Sequence, residues 1–425
     1  MSILIPNPLV LSPENSGLTQ AQLLQALVNG AHADAFGRRR VSAVTTLFDS
    51  QLQYGLGPRD WSQQLTGTGA ISHLPNESSV QLSTGGGLAG ASAVRQTRLC
   101  WRYQPGKGQQ VFLTFLFGAA ATGVTRRRGY FDANNGLFLE QNENDIRFVQ
   151  RTATSGAPSD ARFVRQADWN VDRLDGTGPS RKTLDITKAQ LVFFDLQWLG
   201  VGRARCGFFV DGVPVIAHEF DNGNSMTTVY MTTANLPVRS EIVNTGAASG
   251  AHTMVEICSS VMSEGGDEAF QRGNLNSAAN GTTTIAVTTR RPILSVRPAL
   301  TFGGVPNRAW YLLIEALFRV TTNDLYWEVV YGATLTGAVF SAAAADSCVE
   351  YDVSATALTG GTSVVKGYAV AGQGSSSGAT IATVSGRFPN SVDSLLGTQA
   401  GHTIVGTSMM NTSNVAAAAN WREIY

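Results

Sequence analysis

Apolar and polar residues alternate with a period of two, or gather into short apolar runs, from Val41 to about Ser260. Successive side chains of a strand point to opposite faces, so this pattern predicts strands with one buried face. Val111–Phe117 reads as a buried strand, and Gly136–Glu140 with Ile146–Val149 as a pair joined across the polar turn 141–145. Leu191–Trp198 is the next strand. Arg203–Val210 follows, with Ala204, Cys206, Phe208 and Val210 on one face. Asp211-Gly212 has the residues of a two-residue hairpin turn, and Val213–Phe220 returns from it, Pro214 marking an edge strand or a bulge. A second set of strands begins near Arg290, with 293–297, Tyr311–Val320, Tyr326–Tyr331 and the strand-like tail Asn420–Tyr425. That tail is placed to zip into a sheet, its own or that of another copy.

Helical periodicity occurs near the N-terminus. Pro6, Pro8 and Pro13 make residues 1–17 an extended arm, and no basic, apolar signal-peptide pattern is present there. Thr19 and Gln22 then have capping-box spacing, Leu18 and Leu23 can staple across them, and Leu23, Leu24, Leu27 and Val28 form an apolar stripe ending at Gly30. So short a helix needs a surface to dock on, either its own domain or a neighbouring subunit. The expected fold class is mainly β: antiparallel β-sandwich or jelly-roll domains with one short N-terminal helix. The expected organisation is an arm and helix over 1–40, a β-sandwich over 41–262, a linker or long loop rich in Gly, Asn, Ser and Thr over 263–285, and a C-terminal β domain over 286–425.

Composition narrows the function classes. Of 425 residues only 15% are charged, with 31 basic and 31 acidic side chains and no net charge. Nucleic-acid binding is therefore not expected, because no polybasic field exists to hold phosphates. No apolar run is long enough for a membrane-spanning helix, so no membrane insertion is expected. Only Lys107, Lys182, Lys188 and Lys366 are lysines; the other basic residues are arginines, whose forked, weakly hydrated heads suit interfaces. Cys100, Cys206, Cys258 and Cys348 lie far apart without a CxxC, and read as four buried free thiols in a reducing cytoplasm.

Motifs of chemistry are scarce. There is no phosphate-binding GxxxxGK[ST] and no GxSxG, and the glycines of 85–90 read as a loop. His218 and Glu219 are strand neighbours pointing to opposite faces, so His218 reads as a packed or interfacial histidine. The carboxylates Asp168, Asp172, Asp175, Asp185, Asp195 and Glu219 are candidates for a glycosidase, but no two alternate along one strand face. No cofactor is expected; oxygen ligands for a calcium ion would come from Asp172, Asp175, Asp221 and Asn222, although Asp/Asn/Gly clusters more often make turns. The arginine triplets Arg38-Arg39-Arg40 and Arg126-Arg127-Arg128 read as subunit contacts.

Several segments resemble structural proteins of tailed bacteriophages, with relatives in large DNA viruses. They are Ala35-Phe36-Gly37-Arg38, Thr45–Ser50, Arg95–Arg98 with Tyr103–Lys107, Trp169–Asp172 through Leu174–Ser180, Gln197–Arg203, His218–Phe220, Met231–Pro237 and Glu350–Ser354. The resemblance implies a non-enzymatic virion component, assembled in the host cytoplasm, with a lectin-like or laminin-G-like β-sandwich in its middle. Its partners would be further copies of itself, as a homo-oligomer, and other virion proteins. The expected assembly residues are Ile5, Leu23, Leu27, Arg38, Arg39, Arg40, Trp421 and Tyr425. The alternative is a carbohydrate- or receptor-binding module taking a host surface glycan, with Asp168, Trp169 and Asn170 as the contact trio. The second alternative is a glycosidase on a concanavalin-like sandwich.

Overall fold

The computed structural model describes residues 43–246, 248, 250–266, 273–372, 380–383 and 389–425. The expected arm and helix, with Ile5, Leu23, Leu27, Arg38, Arg39 and Arg40, lie outside them. The described chain is an antiparallel β protein whose short helical turns are 3-10 segments at Pro75–Glu77 and Gln166–Asp168.

The first unit contains β1 (Val44–Ser50), β2 (Trp61–Thr66), β3 (Ala70–Leu74), β4 (Ser79–Ser83), β5 (Ser92–Thr97), β6 (Gln109–Leu116), β7 (Val124–Phe131), β8 (Gly136–Asn142), β9 (Asp145–Thr152), β10 (Ser159–Arg165), β11 (Gln190–Leu196), β12 (Ala204–Val210), β13 (Val213–Phe220), β14 (Val238–Asn244) and β15 (Thr253–Glu264). They form two facing sheets. One runs β13-β12-β11-β6-β15-β4-β3 with β1 also on β15, and the other β10-β9-β8-β7-β14-β5-β2. Between them lies a core in which Val111, Leu113, Phe115, Val192, Phe194, Cys206 and Phe208 of the first sheet meet Tyr130, Leu137, Leu139, Phe148, Val238 and Ile242 of the second. Period-two patterning put these residues on the inner faces. Asp211 and Gly212 both have positive φ, 51° and 76°, as a primed hairpin turn requires. Pro214 sits on the edge strand β13, where a missing N–H leaves no ladder bond broken. All four cysteines are free; Cys258 is half-buried rather than buried.

The second unit contains β16 (Asn274–Ala279), β17 (Ile285–Val287), β18 (Arg291–Pro298), β19 (Thr301–Phe302), β20 (Val305–Pro306), β21 (Trp310–Thr321), β22 (Leu325–Thr336), β23 (Ser341–Ala342), β24 (Val349–Asp352), β25 (Ala357–Ala369), β26 (Thr380–Thr383), β27 (His402–Ser408) and β28 (Ser413–Ile424). One sheet runs β16-β28-β21-β26 with β17 also on β28; the other runs β23-β24-β18-β27-β22-β25. Two expectations are corrected here. The stretch 263–285 is not only a connection, since β16 within it pairs along β28 from Asn274↔Glu423 to Ala279↔Ala418. Its small polar residues hid a strand that is held by backbone ladder bonds rather than by an apolar face. Trp421 is not an assembly residue: β28 runs between β16 and β21 of its own chain, which buries the indole completely. Tyr425 remains half exposed, its ring 5.0 Å from Phe302.

The units share core. Trp310, Leu312 and Ile424 of the second pack into the first unit's apolar cluster, and the Trp310 indole N–H donates to the Cys100 carbonyl at 2.8 Å. Asp393 reaches back to Ser62 and to Arg98, the latter at 3.1 Å.

Candidate functional site

Val238, Ile242, Leu137, Leu139 and Phe148 face the core, so their strand neighbours form the outward face of the second sheet. Register defines its rows. Glu241 on β14 lies opposite Arg127 on β7, which lies opposite Glu140 on β8, then Arg147 on β9 and Arg165 on β10. The next row is Arg239, Gly129, Phe138, Val149 and Phe163. A Cβ on Gly129 would come within 2.4 Å of the Leu137 carbonyl oxygen, so only glycine fits under the close approach of β8.

The face is a charged lattice over an aromatic floor. Arg127 bridges both glutamates, its Nη1 lying 2.6 Å from Glu241 and its Nε donating to Glu140. Arg239 donates to the other Glu241 oxygen at 2.7 Å, Arg147 pairs with Glu140, and Arg151 grips Asp160 through two bonds of 2.7 and 2.8 Å. Beneath them Phe131 and Phe138 pack at 4.4 Å with Val149 as a separate small core, and Arg151 caps both rings. At the open end the Phe163 ring, 36% exposed, lies under Arg147 at 4.5 Å and Arg165 at 5.5 Å. Arg165 also donates to Asp145 at 2.9 Å. Burial pushes the Glu241 carboxyl up, but the guanidinium groups of Arg239 and Arg127 outweigh it and hold the group at about 2. It is an ionised acceptor at neutral pH.

The opposite sheet repeats an acid–arginine–acid row: Asp195, Arg205 and Glu219 are in register across β11, β12 and β13. Glu219 accepts from Arg205 at 2.9 Å and from Arg203 at 3.2 Å. Neighbouring strands thus assemble carboxylates that never alternate along one strand.

Other predicted positions have structural roles. Trp169 is buried, with Phe148 at 4.8 Å and Phe208 at 5.9 Å. It cannot offer a face to a sugar. Asp168 is exposed beside it, and the Asn170 amide holds the Glu219 backbone through bonds of 3.0 and 2.9 Å. Asp172 accepts from the Leu174 and Ser180 amides, Asp175 from Thr177, Asp221 pairs with Arg203, and the Asn222 amide binds the Gly202 carbonyl. These oxygens staple turns, and among the described residues no group of three or more His, Cys, Asp or Glu is placed to hold a metal ion. His218 is packed edge-on to Phe220, and burial pushes it down to about 4.

The Arg126–Arg128 expectation is corrected, because alternation sends only Arg127 outward. Arg126 binds the Gln141 side chain and the Thr253 and Ala119 carbonyls. Arg128 is buried between the sheets with Ser259, Ser240, Glu256 and, through Glu256, Arg95. Phe163, Arg147, Arg165 and Glu241 were not singled out from the sequence. The available signal was the charged residues gathered on one alternating set of strand positions, as Asp145, Arg147 and Arg151 are on β9.

No protein-family model matches this chain, and no curated protein does. Similar solved structures include a legume lectin-like domain from Entamoeba histolytica, at 9% identity over 53% of this chain and 100% of that one, TM-score 0.32. The Emp47p carbohydrate recognition domain aligns at 8% identity over 52% and 97%, TM-score 0.33. A β-1,3-glucanase from Mycobacterium marinum aligns at 14% over 51% and 98%, TM-score 0.31. Similarity this distant concerns sheet architecture alone. The expectation of a non-enzymatic chain is withdrawn: a transglycosylase and glycosidases are among the similar solved structures, at TM-scores of 0.31–0.34 that carry nothing about this chain's own activity.

Proposed function

We propose that this chain is a carbohydrate-binding β-sandwich protein whose glycan lies on the outward face of the second sheet, at the Phe163 end. The carrying observation is the exposed Phe163 ring bracketed by Arg147 and Arg165, with the partly exposed Asp145 carboxylate alongside. An apolar sugar face packs on an aromatic ring, while guanidinium donors and a carboxylate acceptor orient its hydroxyls. On the same proposal the protein sits on a virus particle and serves attachment, which mass spectrometry of purified particles tests by its presence or absence.

The binding reading is tested on a glycan array, followed by calorimetry with the retained glycans. Phe163→Ala weakens binding roughly tenfold or more and Phe163→Trp restores it; both keep the wild-type unfolding midpoint, because the ring lies at the surface. No retained glycan, or equal affinity in Phe163→Ala, overturns the reading. Release of reducing ends from a retained glycan makes the face hydrolytic as well as binding.

A further inference from the structure

The second unit holds a recess of about 420 Å³ on the outward face of its six-stranded sheet, within the range of roughly 300–1,000 Å³ that small ligands occupy. Ladder geometry creates it. β22 pairs with β27 only as far as Tyr331↔His402, while its ladder with β25 runs on to Thr336↔Ala357. Gly332, at φ 69°, turns the ribbon where the ladders part, and its N–H reaches the Gly401 carbonyl at 2.9 Å. The overhanging ribbon, Ala333–Leu335, forms one wall. A Cβ on Gly401 would lie 2.5 Å from the Val296 carbonyl oxygen, so β18 and the start of β27 approach closely beneath the opening.

The floor is a buried hydroxyl pair. Ser295 Oγ donates to Thr403 Oγ1 at 3.1 Å, which leaves the Thr403 O–H to donate. Gln399 uses its Nε2 on the Pro298 carbonyl at 2.8 Å and keeps its amide oxygen as an acceptor. On the far wall Arg297 stacks 3.6 Å over the Phe340 ring. Its Nε and Nη2 both lie 3.0 Å from Glu350, so the one cation among the described residues lining the recess is paired with a carboxylate. Hydroxyl, amide and ring edge without a free charge suit a neutral ligand rich in hydroxyls, not an anion.

We infer that this recess is a second binding site, for a neutral, polyhydroxylated ligand of about monosaccharide size. It is independent of the Phe163 face, which lies on a different sheet of a different unit, and together they make the chain bivalent.

Saturation-transfer NMR and calorimetry with D-glucose, D-galactose and N-acetyl-D-glucosamine, with D-glucuronate as the charged comparator, test it on the full chain. The expected result, read in the Phe163→Ala chain so that the other face does not contribute, is saturable binding of at least one neutral sugar, weakened roughly tenfold when Thr403→Val is added, which removes the hydroxyl but keeps the shape. Thr334→Trp, at an exposed lining position, blocks the recess without touching the floor and abolishes the same binding. No saturable sugar binding, binding of glucuronate alone, binding lost in Phe163→Ala, or binding that survives Thr334→Trp would overturn the inference.

Discussion

Trp310 of the second unit meets Trp101 of the first edge to face, with ring centroids 5.8 Å apart, and its N–H is anchored on the Cys100 carbonyl. The two units are therefore joined through buried aromatic core. Trp310→Ala is expected to cost about 3–5 kcal/mol, the range for removing a large buried aromatic. Trp310→Phe keeps most of the area and loses mainly the bond. Urea unfolding measures both; a Trp310→Ala loss below about 1 kcal/mol would show that the contact does not join the units.

Glu256 is fully buried between Arg95 and Arg128, each at 3.4 Å. Removing it strands two guanidinium groups between the sheets. Glu256→Ala is expected to destabilise by about 3–5 kcal/mol or to prevent folding. Glu256→Gln keeps the shape and some bonds but not the charge, and falls between. Denaturation of a soluble Glu256→Ala at wild-type midpoint would contradict the arrangement.

Acid stability follows from two histidines. Burial pushes His218 and His402 from 6.5 down to about 4, and the Tyr311 hydroxyl holds His402 at 2.9 Å. Between those values the unfolded chain binds the extra protons, so stability falls as pH drops from about 6.5 to 4, by up to about 1.4 kcal/mol per pH unit for each histidine. Glu241 acts lower: its folded value of about 2 against 4.5 makes its contribution present above 4.5 and lost as pH falls toward 2. Unfolding free energies across this range test it, and a flat profile between about pH 6.5 and 4 refutes the histidine contribution.

Trp421, at the centre of the second core, donates to Glu423 at 2.8 Å, and Glu423 also accepts from Ser347 and the Cys348 amide. Trp421→Ala is expected to lower stability by about 3–5 kcal/mol without changing the mass in light scattering, whereas an interface role would change the mass of a still-folded chain.

The sequence by itself determined the mainly β class and several of its strands, among them β6, β8, β9, β11, β12 and β13. The alternation of Ala204, Cys206 and Phe208, the turn at Asp211-Gly212 and the edge proline Pro214 are local properties, and local sterics set them. Strand β16 escaped, because Asn274–Ala279 has no apolar period and is held by its partner. Only the tertiary structure decided the sites. Glu241 and Arg127 are 114 residues apart, and Ser295 and Thr403 are 108 apart; each pair meets because strands distant in sequence lie next to one another in register. The same physics moved Trp169 inward. A tryptophan beside two polar residues can be read as a core residue or as a glycan contact, and the choice is made by Phe148 and Phe208, which approach from other strands.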